Sequence, residues 1–181
     1  LEYYTAFWIY SNIELKHNII ERNNIIKKYI SNPFWSIVLE LLLNMIDKDQ
    51  PDSDILDEII NENIKNTNSY PFLVYIIPNL KNISQEAQEL VYYKSIQYLI
   101  NTQSSPENHK QKIMDLFARI QRNLFITSHL KLLNNAINSI EVKDWYKNQY
   151  VLINELAFST SINNLEFDFS EIKKSDIYNR E

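Results

Sequence analysis

The sequence contains no glycine and no cysteine in 181 residues, and only five prolines. Each absence removes a class of chemistry. Loops that cradle phosphates need glycine for positive φ and close backbone approach, so neither G-x-x-x-x-G-K-S/T nor G-x-G-x-x-G occurs here. The G-x-S-x-G nucleophile elbow is excluded in the same way. Tight β-hairpins favour Asn-Gly, Asp-Gly or Gly-X turns, which disfavours a hairpin-rich β protein. Without cysteine there are no disulfides, thiolate zinc sites or cysteine nucleophiles, and the composition fits a reducing, cytoplasmic compartment. No apolar run approaches the roughly 20 residues of a membrane span, so no membrane partner is expected. The longest unbroken run, Phe72 to Ile77, is bracketed by Pro71 and Pro78. The chain opens on Leu1 with no basic-then-apolar signal pattern, which suggests a piece of something longer.

What is present reads as helix. Hydrophobic residues make up 45% of the chain, enough for a sizeable core. Leu1 to about Ile13 reads as an aromatic-rich helix with Tyr4, Phe7 and Trp8 on one face, followed by a helical stretch from Ile19 to Ile30. Asn32-Pro33 predicts a helix start, an N-cap side chain followed by proline at the first position. Beyond it Trp35, Val38, Leu39, Leu42, Met45 and Ile46 form one apolar stripe. Ser53 is expected to cap a helix to about Asn66, Pro71 to open a short apolar one, and Ser84 to cap a longer one to about Gln103. That last helix carries apolar residues on two faces: Ala87, Leu90, Val91 and Tyr98 on one, Tyr92, Ile96 and Leu99 on the other. Such a helix is expected to be covered on both sides. Ser105-Pro106 repeats the cap-plus-proline start ahead of a stripe of Ile113, Leu116, Phe117, Ile120 and Leu124. Helices restarting near Ser128 or His129 and at Asp144 complete the pattern.

The prolines at helix starts, Pro33, Pro71 and Pro106, lie 38 and 35 residues apart, close to the two-helix unit of HEAT or TPR arrays. The expected fold is therefore all-α: a HEAT-like stack or bundle of about eight to nine antiparallel helices over residues 1–160. A short irregular or β-coil tail is expected over 161–181. With no glycine to end its helices, the chain is expected to use asparagine in the left-handed conformation, at Asn18, Asn66, Asn79 and Asn101.

Both ends carry a resemblance. Glu2, Tyr3, Tyr4 and Ala6 resemble the Glu-aromatic-aromatic-x-Ala half of a motif that closes the winged-helix part of NACHT-type signal-transducing NTPases. In that family a weak helix then leads to a segment similar to Asn32-Pro33-Phe34-Trp35-Ser36-Ile37-Val38-Leu39-Glu40-Leu41-Leu42, with Phe34 as an extra residue before the Trp. The two matches and the stretch between them cover about a quarter of the chain. The resemblance implies a non-catalytic helical region that docks on other domains of a parent protein and couples nucleotide state to a sensor, in bacteria often in antiphage defence. It implies interdomain packing for Glu2, Tyr3, Tyr4, Trp8 and Trp35. At the other end, units centred on Phe167, Ile172 and Ile177 recur in steps of five and resemble pentapeptide repeats, which follow the helical region in some NACHT-type proteins. These three residues are expected to dock the tail. A disordered or short amphipathic tail stays open as the other reading.

No catalytic residue, metal site or cofactor is expected. The acidic cluster Asp47, Asp49, Asp52, Asp54, Asp57 and Glu58 matches an EF-hand at three positions, but Pro51 and Asp52 replace a ligand and the required glycine. It reads better as a solvated loop whose Asp52, Ser53 and Asp54 favour the positive end of the next helix. His17, His109 and His129 are scattered and in no metal-binding spacing. Lys110, Lys112, Arg119 and Arg122, with Lys131, could line a basic strip, but the net charge of −5 and the interspersed Glu107 and Asp115 favour a solvated face over a nucleic-acid site. Two other functions stay open: a free-standing helical module for a protein ligand, and an enzyme with a pocket lined by Tyr92, Tyr93, Tyr98 and Trp145.

Overall fold

The computed structural model describes residues 1–49, 52–102, 110–123 and 126–139. They contain eight α-helices and no strand: α1 (Glu2–Ile9), α2 (Ile19–Tyr29), α3 (Ser36–Asp49), α4 (Asp54–Asn63), α5 (Tyr70–Ile76), α6 (Gln85–Thr102), α7 (Lys110–Asn123) and α8 (Thr127–Asn138). The all-α class is as expected. The chain forms two compact units that divide within α6, Leu1–Val91 and from Tyr92 onward. The expected boundary at 160/161, the residues Phe167, Ile172 and Ile177, and the helix starts at Pro106 and Asp144 lie outside the described residues.

Local chemistry accounts for four of the helix starts. Asn18 caps α2, its side chain accepting from the Glu21 N–H at 3.3 Å while its amide donates to the Glu21 carboxylate at 2.7 Å. Asn32 accepts from the Phe34 N–H at 3.0 Å and opens a 3-10 turn, Pro33–Trp35, that runs into α3. Ser84 caps α6 by accepting from the Ala87 N–H at 3.1 Å. Pro71 sits in the first turn of α5, and Pro78 lies in the 3-10 turn Ile77–Asn79 that ends it, where a missing N–H does least harm.

In the first unit α1 packs on α3, α2 on α4, and α3 on α4. The core takes in Val38, Leu39, Leu42 and Ile46 of the α3 stripe read in the sequence and the apolar run Phe72, Leu73, Val74 and Ile76 of α5, and adds Leu43 of α3 and Leu56, Ile59 and Ile60 of α4. Each such side chain contributes about 1.5–3 kcal/mol when fully buried. In α6 no residue from Ala87 to Leu99 is exposed, as two apolar faces predict.

Ser53 makes no side-chain cap at the start of α4, which ends at Asn63, and two further expectations need correction. None of the four asparagines is left-handed. Asn18 and Asn66 instead spend their side chains as N-caps at φ −84° and −105°, Asn79 ends a 3-10 turn, and Asn101 lies inside α6. The one positive φ among the described residues belongs to His17, at 55°. Second, the helix from Leu1 to Ile13 does not continue as α-helix. Tyr10–Glu14 form a π-helical turn, closed by the Leu15 N–H on the Tyr10 carbonyl at 2.9 Å and the Asn18 N–H on the Ile13 carbonyl at 3.0 Å. A continuous α-helix would carry Glu14 about 80° away from the Ala6 direction. The wider turn underwinds the chain and brings Glu14 round to the buried side with Ala6, Ile9, Tyr10 and Ile13.

Candidate interaction surface

Glu14, carried inward by the π-turn, meets Arg22 of α2. The guanidinium is 1% exposed and lies 3.3 Å from the Glu14 carboxylate and 3.2 Å from that of Glu58 on α4. Its Nε donates to Asn23, whose amide donates to Glu58 at 3.0 Å. The approach of Nη2 to Glu58 is not an aligned hydrogen bond, so charge rather than geometry holds that contact. This cluster fastens the π-turn, α2 and α4 to one another.

The remaining acidic residues behave differently from a solvated loop. Asp47 is buried and accepts from the backbone N–H groups of Lys81 and Asn82. Asp49 accepts from the Tyr10 hydroxyl, and Asp57 from the Ser84 N–H at 3.1 Å. Burial and the Asp49 carboxylate push the Tyr10 phenol up to about 12. Asp52 and Asp54 stay exposed beside the start of α4, as read from the sequence. No group of three metal-ligating side chains is assembled among the described residues. Asp47, Asp49, Asp57 and Glu58 are thus cross-links between elements distant in sequence, a role that composition could not reveal.

α1, packed on α3, has one face in and one face out. Ala6 and Ile9 are buried, while Tyr3, Tyr4, Phe7 and Trp8 stand exposed, Tyr4 at 75% and Trp8 at 57%. Tyr3 stacks on Phe7, one turn away, with ring centroids 6.2 Å apart, and meets Tyr4 edge-on at 6.0 Å. Three of the four rings thus form a continuous aromatic surface on one helix. Glu2 is exposed in the first turn of the same helix. Trp35 is placed otherwise: half-buried, it stacks on Tyr29 with centroids 3.8 Å apart and planes within 8°.

The distribution of exposed apolar side chains is uneven along the first unit. Tyr3, Tyr4, Phe7, Trp8, Ile20 and Phe34 all fall within the first 37 residues, and Ile37 is the last of the set. Among the described residues from Val38 to Val91 no large apolar side chain is exposed. Isolated exposed apolar residues are ordinary; here four exposed aromatic side chains are grouped on one helix.

The second unit holds a buried polar group that sequence reading dispersed. Tyr92 of α6 is fully buried, its hydroxyl 2.8 Å from His129 Nδ1 on α8 and receiving a hydrogen bond from the Asn123 amide of α7 at 3.0 Å. Burial raises the Tyr92 phenol above its ordinary range and lowers the His129 imidazole. Tyr93 and Tyr98 are half-buried, and Trp145 lies outside the described residues. Of the basic strip, Arg119 pairs with Asp115 at 3.0 Å, and Arg122 and Lys131 are exposed. No helix among the described residues is long and apolar enough to cross a membrane. No family model, curated protein or solved structure matches the chain.

Proposed function

We propose that this chain is a non-catalytic helical docking region, the part that follows the nucleotide-binding domain of a NACHT-type signal-transducing NTPase in the cytoplasm. The observation that carries the reading is the aromatic face of α1. Tyr3, Tyr4, Phe7 and Trp8 are exposed on a helix whose opposite face is anchored in the core. Aromatic side chains supply large contact area at low entropic cost and are enriched in protein interfaces. The residues with that exposure include Tyr3 and Tyr4, which carry the family resemblance, and Glu2 beside them remains accessible to a partner's donor groups. The HEAT-like stacking expected from the proline spacing belongs to the same reading, as does the pentapeptide-like tail.

On this reading the region works by docking: α1 seats the nucleotide domain, and the helical units transmit its position to whatever senses the trigger. The test begins with the codons upstream of Leu1, which should encode G-x-x-x-x-G-K-S/T; a gene without it sinks the reading. In the parent protein, Tyr4→Glu with Trp8→Glu should release the helical region from the nucleotide domain in limited proteolysis. Unchanged protection of the junction in that variant would also count against it.

A further inference from the structure

The direction of the Tyr92–His129 contact follows from the tautomer of the imidazole, and the surroundings of Tyr92 favour one. The Tyr92 oxygen already accepts from the Asn123 amide, and the remaining phenolic proton needs an acceptor within a buried site. His129 Nδ1 is 2.8 Å away and is that acceptor only when it carries no proton, which leaves the imidazole neutral with its hydrogen on Nε2. Protonating Nδ1 sets two donors against each other. The Tyr92 O–H then loses its acceptor, and an imidazolium is left in a site where it is 5% exposed.

We propose that the Tyr92–Asn123–His129 contact is an acid-sensitive latch that holds α8 to α6 and α7 at neutral pH and releases α8 on acidification. Among the described residues, the titratable group facing the imidazole is Tyr92 from α6, and the polar group completing the cluster from α7 is neutral Asn123. Among the charged groups of the three helices whose side chains are described, Glu86, Arg122 and Lys131 face solvent, Glu89 accepts from the Gln85 amide, Lys94 lies over the Tyr93 ring, and Asp115 and Arg119 pair with each other. No carboxylate hydrogen-bonds the imidazole among these residues to stabilise its charged form. Burial lowers the folded-state value, so the unfolded or opened form binds the proton first. Latch stability is therefore complete above the ordinary histidine value of about 6.5 and falls as pH drops below it. The opening equilibrium shifts by up to about tenfold per pH unit until the folded-state value is reached.

The experiment is amide hydrogen exchange on the 181-residue chain between about pH 7.5 and pH 5, corrected for intrinsic rates, with α3 amides as the internal reference. Protection across Thr127–Asn138 should fall by up to about tenfold per pH unit in the wild type and in His17→Asn. In His129→Asn, which keeps an acceptor near the Nδ1 position but cannot take the proton, it should be independent of pH. An α8 that keeps its protection at pH 5, or a His129→Asn variant with the same decline, overturns the proposal. Should His129→Asn fail to fold, the histidine-labelled wild type decides by NMR. The Nε2–H tautomer at neutral pH, titrating together with the loss of α8 protection, supports the latch; the Nδ1–H tautomer overturns it.

Discussion

The carboxylate of Asp47 holds the backbone N–H of Asn82 at 2.7 Å, across 35 residues of sequence. The same group accepts from the Lys81 N–H at 3.1 Å, and the Asn82 amide returns a bond to the Asp47 carbonyl at 2.7 Å. Hydrogen bonds to an ionised acceptor are roughly twice as strong as neutral ones, and part-buried N–H groups left without one are costly. Asp47→Ala should lower stability by about 2–4 kcal/mol, and Asp47→Asn by about half as much because one oxygen still accepts. Urea unfolding followed by circular dichroism checks both. An alanine variant with the wild-type midpoint would mean that water serves these N–H groups equally well.

Arg22 is a harder case for the fold to lose. Its side chain is buried between Glu14 and Glu58, and Glu14 is buried with it. Removing one partner of a buried pair leaves a charge uncompensated, at about 3–5 kcal/mol, whereas replacing both by apolar groups is often neutral. Arg22→Met should therefore destabilise strongly, and the Arg22→Met, Glu14→Leu double variant should recover most of the loss. A double-mutant cycle in urea reads the coupling, and additive losses would refute a mutual dependence.

The two faces of α1 should respond in opposite ways. Tyr4→Glu and Trp8→Glu change exposed positions and should leave stability within about 0.5 kcal/mol. Ile9→Ala on the buried face should cost about 2–4 kcal/mol. Thermal unfolding of the three variants suffices. A large loss from the exposed substitutions would assign the aromatic face to the core of this chain and remove it as a docking surface.

Tyr10 gives an alkaline signature. Its phenol is raised to about 12, first by burial and then by Asp49, above its ordinary value of about 10. The unfolded chain therefore loses this proton first. The stability that neutral Tyr10 contributes is complete below pH 10 and declines as pH rises from there toward 12. Phenolate absorbance should show a late-ionising component to which Tyr10 and Tyr92 both contribute, and Tyr10→Phe should reduce it, leaving the Tyr92 part. A late component unchanged in that variant belongs to another tyrosine.

How much of this was legible depends on the range of the interactions. Starts at Asn32-Pro33 and Ser84, the α3 stripe and the two-sided burial of α6 were readable because caps and periodicity act within a few residues. The aromatic set of α1 was readable as a face, but not as an exposed one. Its other side is apolar as well, and only packing on α3 decides which side is buried. The π-turn was invisible because it accompanies the pairing of Arg22 with Glu14 and Glu58, which spans three elements. The same holds for Asp47, Asp49 and Asp57, whose partners lie 27 to 39 residues away. His129 looked isolated because Tyr92 is 37 residues distant and reaches it only through the fold.

His17 turns the chain from the π-turn into α2 at a φ of 55°, a conformation that costs a residue with a Cβ about 1 kcal/mol more than it costs glycine. A sequence without a single glycine has left that relief unused. The joint is an open mutational step: a change to glycine there relaxes the backbone directly, and it also loosens the unfolded chain, which works the other way. The bend between α1 and α2 is then kept by the caps and ion pairs on either side of it, not by the identity of the residue that makes the turn.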